Sequence, residues 1–141
     1  MTVGRLIRGR SEVISVTPDS AIPDVVRVLV DRRIGAVLVM EGDKIAGVLS
    51  ERDIVRCLAE RGGEALALAA RDLMTAEVET TSPDESVDQA MSHMTRRRIR
   101  HLPVLDQGRL VGIVSIGDLV KARIKDAERE AASLKDYIRQ A

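Results

Sequence analysis

The sequence predicts a mixed α/β (α+β) fold, built from two β-α-β-β-α repeats and a long C-terminal helix. Three observations carry this expectation. Residues 13–57 recur without a gap at 78–122, with Thr17-Pro18-Asp19 answered by Ser82-Pro83-Asp84, 65 residues on. Each copy has an i, i+3, i+4, i+7 apolar stripe: Ile22, Val25, Val26 and Leu29 in the first, Val87, Ala90, Met91 and Met94 in the second. Each stripe is followed by two short apolar runs around a polar turn, the pattern of a β-hairpin. A unit of about 60 residues buries only ~60% of its unfolded surface, so the repeats are expected to fold together.

Within each copy the elements follow in order. Val13–Val16 and Val78–Thr81 read as short opening strands. A Pro-Asp turn ends each, because proline fixes φ and aspartate bonds nearby backbone. The helices behind them are expected to be capped by Asp19 or Ser20 in the first copy. In the second, Ser86 with Gln89 three residues on forms a capping box. Pro23 lies in the first turn, where a missing N–H costs little. Residues 36–40 and 101–105 are the second strands, and 45–49 and 110–114 the third. Gly62-Gly63 ends the first copy, and residues 64–70 look partly helical. The last helix runs from about Ile116 to Gln140. Its tail, residues 127–141, reads either as a solvated extension or as a helix packed on a second subunit through Leu134, Tyr137 and Ile138.

Composition narrows the function. Lys+Arg and Asp+Glu both number 22, so the net charge is zero and neither nucleic acid nor an anionic membrane is an expected partner. In the basic run Arg96-Arg97-Arg98-x-Arg100, Arg96 and Arg97 suit a solvated helix C-terminus, Arg98 fits either reading, and no aromatic is placed to stack on bases. One cysteine, Cys57, permits no internal disulfide and suggests a reducing compartment. Residues 1–10 carry three arginines and no apolar run, which argues against a secretory signal. No stretch approaches the ~20 apolar residues of a membrane span. The expected location is cytoplasmic. His93 lies beside its helix's apolar stripe with no cysteine or second histidine at metal-ligand spacing, so no metal is expected. His101 is the better functional histidine, as a phosphate contact. No nucleophile–base pair stands out, so no enzyme activity is expected.

The best-kept part of the repeat is polar: Gly47-x-x-Ser50-x-x-Asp53 and its twin Gly112-x-x-Ser115-x-x-Asp118. Each falls where a strand ends and a helix begins. Ser-x-x-Asp there can be a helix cap. It can also serve a ligand: the glycine admits close approach to the backbone, the helix start favours an anion, and a carboxylate can grip a ribose diol. Both readings remain open on sequence alone.

With Asp72-Leu73-Met74-Thr75 and Ile99-Arg100-His101-Leu102-Pro103-Val104, these motifs make the chain resemble a stand-alone tandem of CBS domains, the cystathionine-β-synthase-type repeat of Bateman modules. The resemblance implies CBS domains at 7–64 and 73–130 with a helical extension at 131–141. It also implies packing about a pseudo-twofold axis and two clefts for AMP, ADP, ATP, NAD(H) or S-adenosylmethionine. Carried over, one cleft joins Ser50 and Asp53 to Val78, Glu79, Ile99, Arg100 and His101. The other joins Ser115, Asp118 and Gly112 to Val13, Ile14, Ile34, Gly35 and Ala36. Because Arg100-His101 answers Gly35-Ala36 at the position the resemblance gives to phosphate, the Asp53 cleft is expected to hold phosphate better, the Asp118 cleft lacking cationic groups there. The implied function is a regulatory, energy-sensing module in signal transduction, needing no cofactor and acting as a homodimer on an unknown downstream protein. The alternative is a ligand-free dimerisation module with degenerate clefts.

Overall fold

A computed structural model describes residues 1–10 and 12–140. In chain order the elements are α1 (Val3–Ile7), β1 (Ser15–Val16), α2 (Ile22–Arg32), β2 (Ala36–Glu41), β3 (Lys44–Ser50), α3 (Glu51–Arg61), a 3-10 helix (Gly62–Ala67), α4 (Ala70–Leu73), α5 (Val87–Arg97), β4 (His101–Asp106), β5 (Arg109–Ser115) and α6 (Ile116–Gln140). They fall into two compact units, Ile14–Val78 and the combination of Met1–Val13 with Glu79–Ala141. Ala141, the last residue of the expected extension, lies outside the described residues.

In the 14–78 unit, β1 pairs parallel with β2, and β2 pairs antiparallel with β3. The predicted stripe buries Ile22, Val25 and Leu29 of α2 against Val37 and Val39 of β2, Leu49 of β3 and Ile54 of α3. Val26 is only half-buried, at the edge of this core. Each fully buried aliphatic side chain contributes about 1.5–3 kcal/mol.

The other unit repeats the plan. Val87, Ala90 and Met94 of α5 pack on Leu102, Val104, Val114, Leu119 and Ala122, with Met91 at the edge. Its opening strand is reduced to one parallel bridge, Thr81 to Val104, made by Thr81 N to Pro103 O and Leu105 N to Thr81 O, both 2.9 Å. Both hairpins carry an irregularity at equivalent places, Val39/Met40 and Val104/Leu105. Their second strands therefore bulge next to Gly47 and Gly112.

The helix starts follow local chemistry, with one correction. Ser86 and Gln89 form the expected capping box, at 3.0 and 3.1 Å. Neither Asp19 nor Ser20 caps α2. The N-cap is Ala21, because the Ser20 hydroxyl closes the preceding turn by accepting from Thr17 N (3.1 Å) and Asp19 pairs with Arg71. Backbone pairing replaces the cap: Ile22 N donates to Leu68 O and Ala70 N to Ser20 O.

Short helices finish each unit, and they are exchanged along the chain. The segment through α4, just ahead of the second repeat, packs on the first: Val48 and Thr75 exchange both backbone bonds, at 3.0 and 2.9 Å. Helix α1, ahead of the first repeat, packs on the second. Val3 is fully buried there, Val3 N donates to Glu85 O, Gly4 N to Pro83 O, and Val87 N to Met1 O. The stretch Met1–Val13 thus groups with Glu79–Ala141.

Candidate functional site

Ser50 is the N-cap of α3, with extended backbone. Its hydroxyl accepts from Asp53 N at 3.3 Å, and Asp53 Oδ2 accepts from Ser50 N at 2.9 Å and from Ser50 Oγ at 3.0 Å. In the twin motif Asp118 N donates to Ser115 Oγ at 3.1 Å and Ser115 N to Asp118 Oδ2 at 2.9 Å. Both motifs are thus capping boxes, each worth about 1 kcal/mol to its helix. The cap uses only Oδ2 of either aspartate.

The second oxygens differ. Asp53 Oδ1 meets no cation among the described residues. Asp118 Oδ1 lies 3.3 Å from Arg10 Nη2, while Arg10 Nη1 donates to Ile113 O at 3.1 Å. The sequence alone did not place this arginine beside Asp118. The docking of α1 on β5 brings the following arginine to the strand end, a placement that no local spacing announces.

The motif glycines also find an occupant other than the one expected. A Cβ on Gly47 would stand 2.8 Å from Met74 Sδ and 2.8 Å from Thr75 O, and one on Gly112 would stand 3.1 Å from Ile7 Cδ1. The close approach is made by the chain's own exchanged segments. Gly117, where the first copy has Arg52, has no such demand: a Cβ there would meet only Ser115 Oγ, at 3.6 Å.

The strand starts lie beside their own repeat's motif. Ala36 faces Ser50 in the β2–β3 register, and Glu51 N donates to Gly35 O at 2.9 Å. His101 faces Ser115, and Ile116 N donates to Arg100 O at 2.8 Å. Arg100 and His101 therefore neighbour Ser115 within their unit, while Gly35-Ala36 neighbours Ser50. Ile34 and Ile99 are half-buried and follow Arg33 and Arg98, helix-ending residues at φ +53° and +55°. Glu79 turns toward α5, with Oε2 3.1 Å from His93 Nε2 and Oε1 3.2 Å from Arg97 Nε. Cys57 is half-buried on α3. The chain passes between units at Val13–Ile14 and again at Val78–Glu79.

Two β-α-β-β-α units, each opening a capped helix at a strand end, make this a tandem-repeat α+β protein. It belongs to the CBS-domain family: the CBS domain matches residues 3–60 and 70–125. The chain is 35% identical over 127 residues to the CBS domain-containing protein CBSX3, mitochondrial, of Arabidopsis thaliana, a match covering 86% of this chain and 62% of that protein. The CBS-domain containing protein ATU1752 of Agrobacterium tumefaciens has the same fold, with a TM-score of 0.84, 38% identity, and 87% and 99% of the two chains covered. The CBS domain protein PAE2072 from Pyrobaculum aerophilum, complexed with AMP, matches at a TM-score of 0.73 and 28% identity over 84% of this chain and 89% of that one. No helix among the described residues is long and apolar enough to cross a membrane.

Proposed function

We propose that this chain is a non-enzymatic regulatory module that binds an adenosine-containing nucleotide through the aspartates of its two polar motifs. The observation that carries the reading is the division of labour on Asp53: Oδ2 holds the helix cap, and Oδ1 is left for a ribose hydroxyl. The AMP complex of the Pyrobaculum relative supports an adenylate as the ligand class. AMP, ADP, ATP and NAD(H) share the adenosine that such a site would read, and the phosphates separate them. A nucleotide bound by both repeats would bias their mutual arrangement and so the surface offered to a downstream protein. Action as a homodimer in the cytoplasm completes the proposal. The single half-buried cysteine suits a reducing compartment.

A ligand-free interaction module is the rival, and one observation favours it at one motif: Arg10 already occupies the second oxygen of Asp118. Thermal unfolding with AMP, ADP, ATP, NADH and S-adenosylmethionine separates the two. A ligand at a hundred times its Kd adds about 2.7 kcal/mol. No shift with any of the five at millimolar concentration would leave the rival standing.

A further inference from the structure

We propose that the C-terminal half of α6 forms a parallel two-stranded coiled coil with a second copy of this chain. Only Leu119 and Ala122 of α6 are buried, and from Ala127 to Gln140 every residue is exposed. A solvated helix of that length is marginal in water and draws its stability from packing. The exposed apolar residues are arranged for it: Val120, Ile124, Ala127, Ala131, Leu134 and Ile138 follow at alternating steps of four and three. That is the seam of a left-handed coiled coil, with the two alanines as narrow central layers. Leu134 and Ile138 are 62% and 71% exposed.

The charges flanking the seam commit the occupant and its direction. In a parallel pair Arg123 faces Glu128 of the partner subunit, and Glu130 faces Lys135 of the partner subunit. Opposite signs meet at every complete flanking position. An antiparallel pair of full overlap would instead set Lys121 against Lys135 of the partner subunit and Glu128 and Glu130 each against its own copy. Like charges at such positions specify against a partner orientation. Arg123 also meets Asp88 in its own subunit, at 3.2 Å, and its guanidinium has further donors to share. The symmetry is that of a twofold dimer, in which one surface is its own complement.

The inference extends the homodimer of the proposed function, and its test uses no nucleotide, so the two can fail separately. Sedimentation of the full chain at about 10 µM should give twice the 15.4 kDa of one chain. Leu134→Glu with Ile138→Glu should give a monomer with cooperative thermal unfolding. A monomeric wild type, or a double variant that still dimerises, overturns the proposal. Glu130→Lys leaves the seam intact and should weaken dimerisation about three- to tenfold, with Lys135→Glu restoring it. Absence of that rescue also counts against the pairing. For direction, Ala131→Cys in a Cys57→Ser background should oxidise to a disulfide-linked dimer. A cross-link that forms only between Ala127→Cys and Ala131→Cys chains would make the pair antiparallel and overturn the parallel arrangement.

Discussion

The guanidinium of Arg10 lies 3.3 Å from the carboxylate of Asp118, while Asp53, its twin in the other repeat, has no cation beside it among the described residues. Near-identical sequence motifs are thus set in different electrostatic surroundings. The difference comes from the docking of α1, and it separates the two aspartates as ligand groups.

Arg10 and Asp118 are 39% and 34% exposed, so solvent leaves the pair worth about 0.2–1 kcal/mol. A ribose reaching Asp118 must displace the arginine. Arg10→Ala, made in an Asp53→Asn background, is expected to lower stability by less than about 1 kcal/mol and to tighten adenosine binding up to about fivefold. Isothermal titration calorimetry reads this; unchanged or weaker binding would exclude competition by Arg10.

The cap and the ligand roles of Asp53 can be pulled apart. Asp53→Ala removes the acceptor for Ser50 N and should cost about 1 kcal/mol, or about 2–5 °C in Tm. Asp53→Asn keeps an acceptor and should stay within about 0.5 kcal/mol of the wild type. Both should weaken AMP binding about 10- to 100-fold, the worth of hydrogen bonds to a charged group. Wild-type AMP affinity in Asp53→Asn would dismiss the ribose contact.

The two motif glycines should respond unequally to alanine. At Gly47 the new methyl would meet the Thr75 carbonyl and Met74 Sδ, both at 2.8 Å, and backbone yields poorly. At Gly112 it would meet the Ile7 side chain, Cδ1 at 3.1 Å and Cγ2 at 3.3 Å, which yields more readily than backbone. Gly47→Ala is expected to lose about 1–3 kcal/mol in urea unfolding and Gly112→Ala less than about 1. The reverse order would mean that the exchanged segments pack differently.

Val3 is fully buried in the unit formed with residues 79–140. Val3→Ala removes two methyl groups and should cost about 1–3 kcal/mol in urea unfolding, with an unchanged m value. A loss below about 0.3 kcal/mol would detach α1 from that core.

Much of this was legible in the sequence, because the chemistry is local. The Ser50–Asp53, Ser115–Asp118 and Ser86–Gln89 caps join residues three apart, and the α2 and α5 stripes repeat at helical spacing. The α2 cap was misread because Asp19 and Ser20 satisfy the same composition rule, yet both side chains find partners in the preceding turn and in Arg71. The role of Gly47 and Gly112 was half legible. Glycine signalled a close approach, but nothing in the spacing said that Met74, Thr75 and Ile7 would make it.

The amino-acid order by itself determined the repeats, most of their strands and helices, and the capped polar motifs. All of these depend on neighbours within a few residues. Only the folded chain decided which repeat each short helix would complete, and hence that Arg10 would reach Asp118. Contacts between distant segments depend on where packing returns the chain, and two nearly equal repeats offer two docking places that local pattern cannot tell apart.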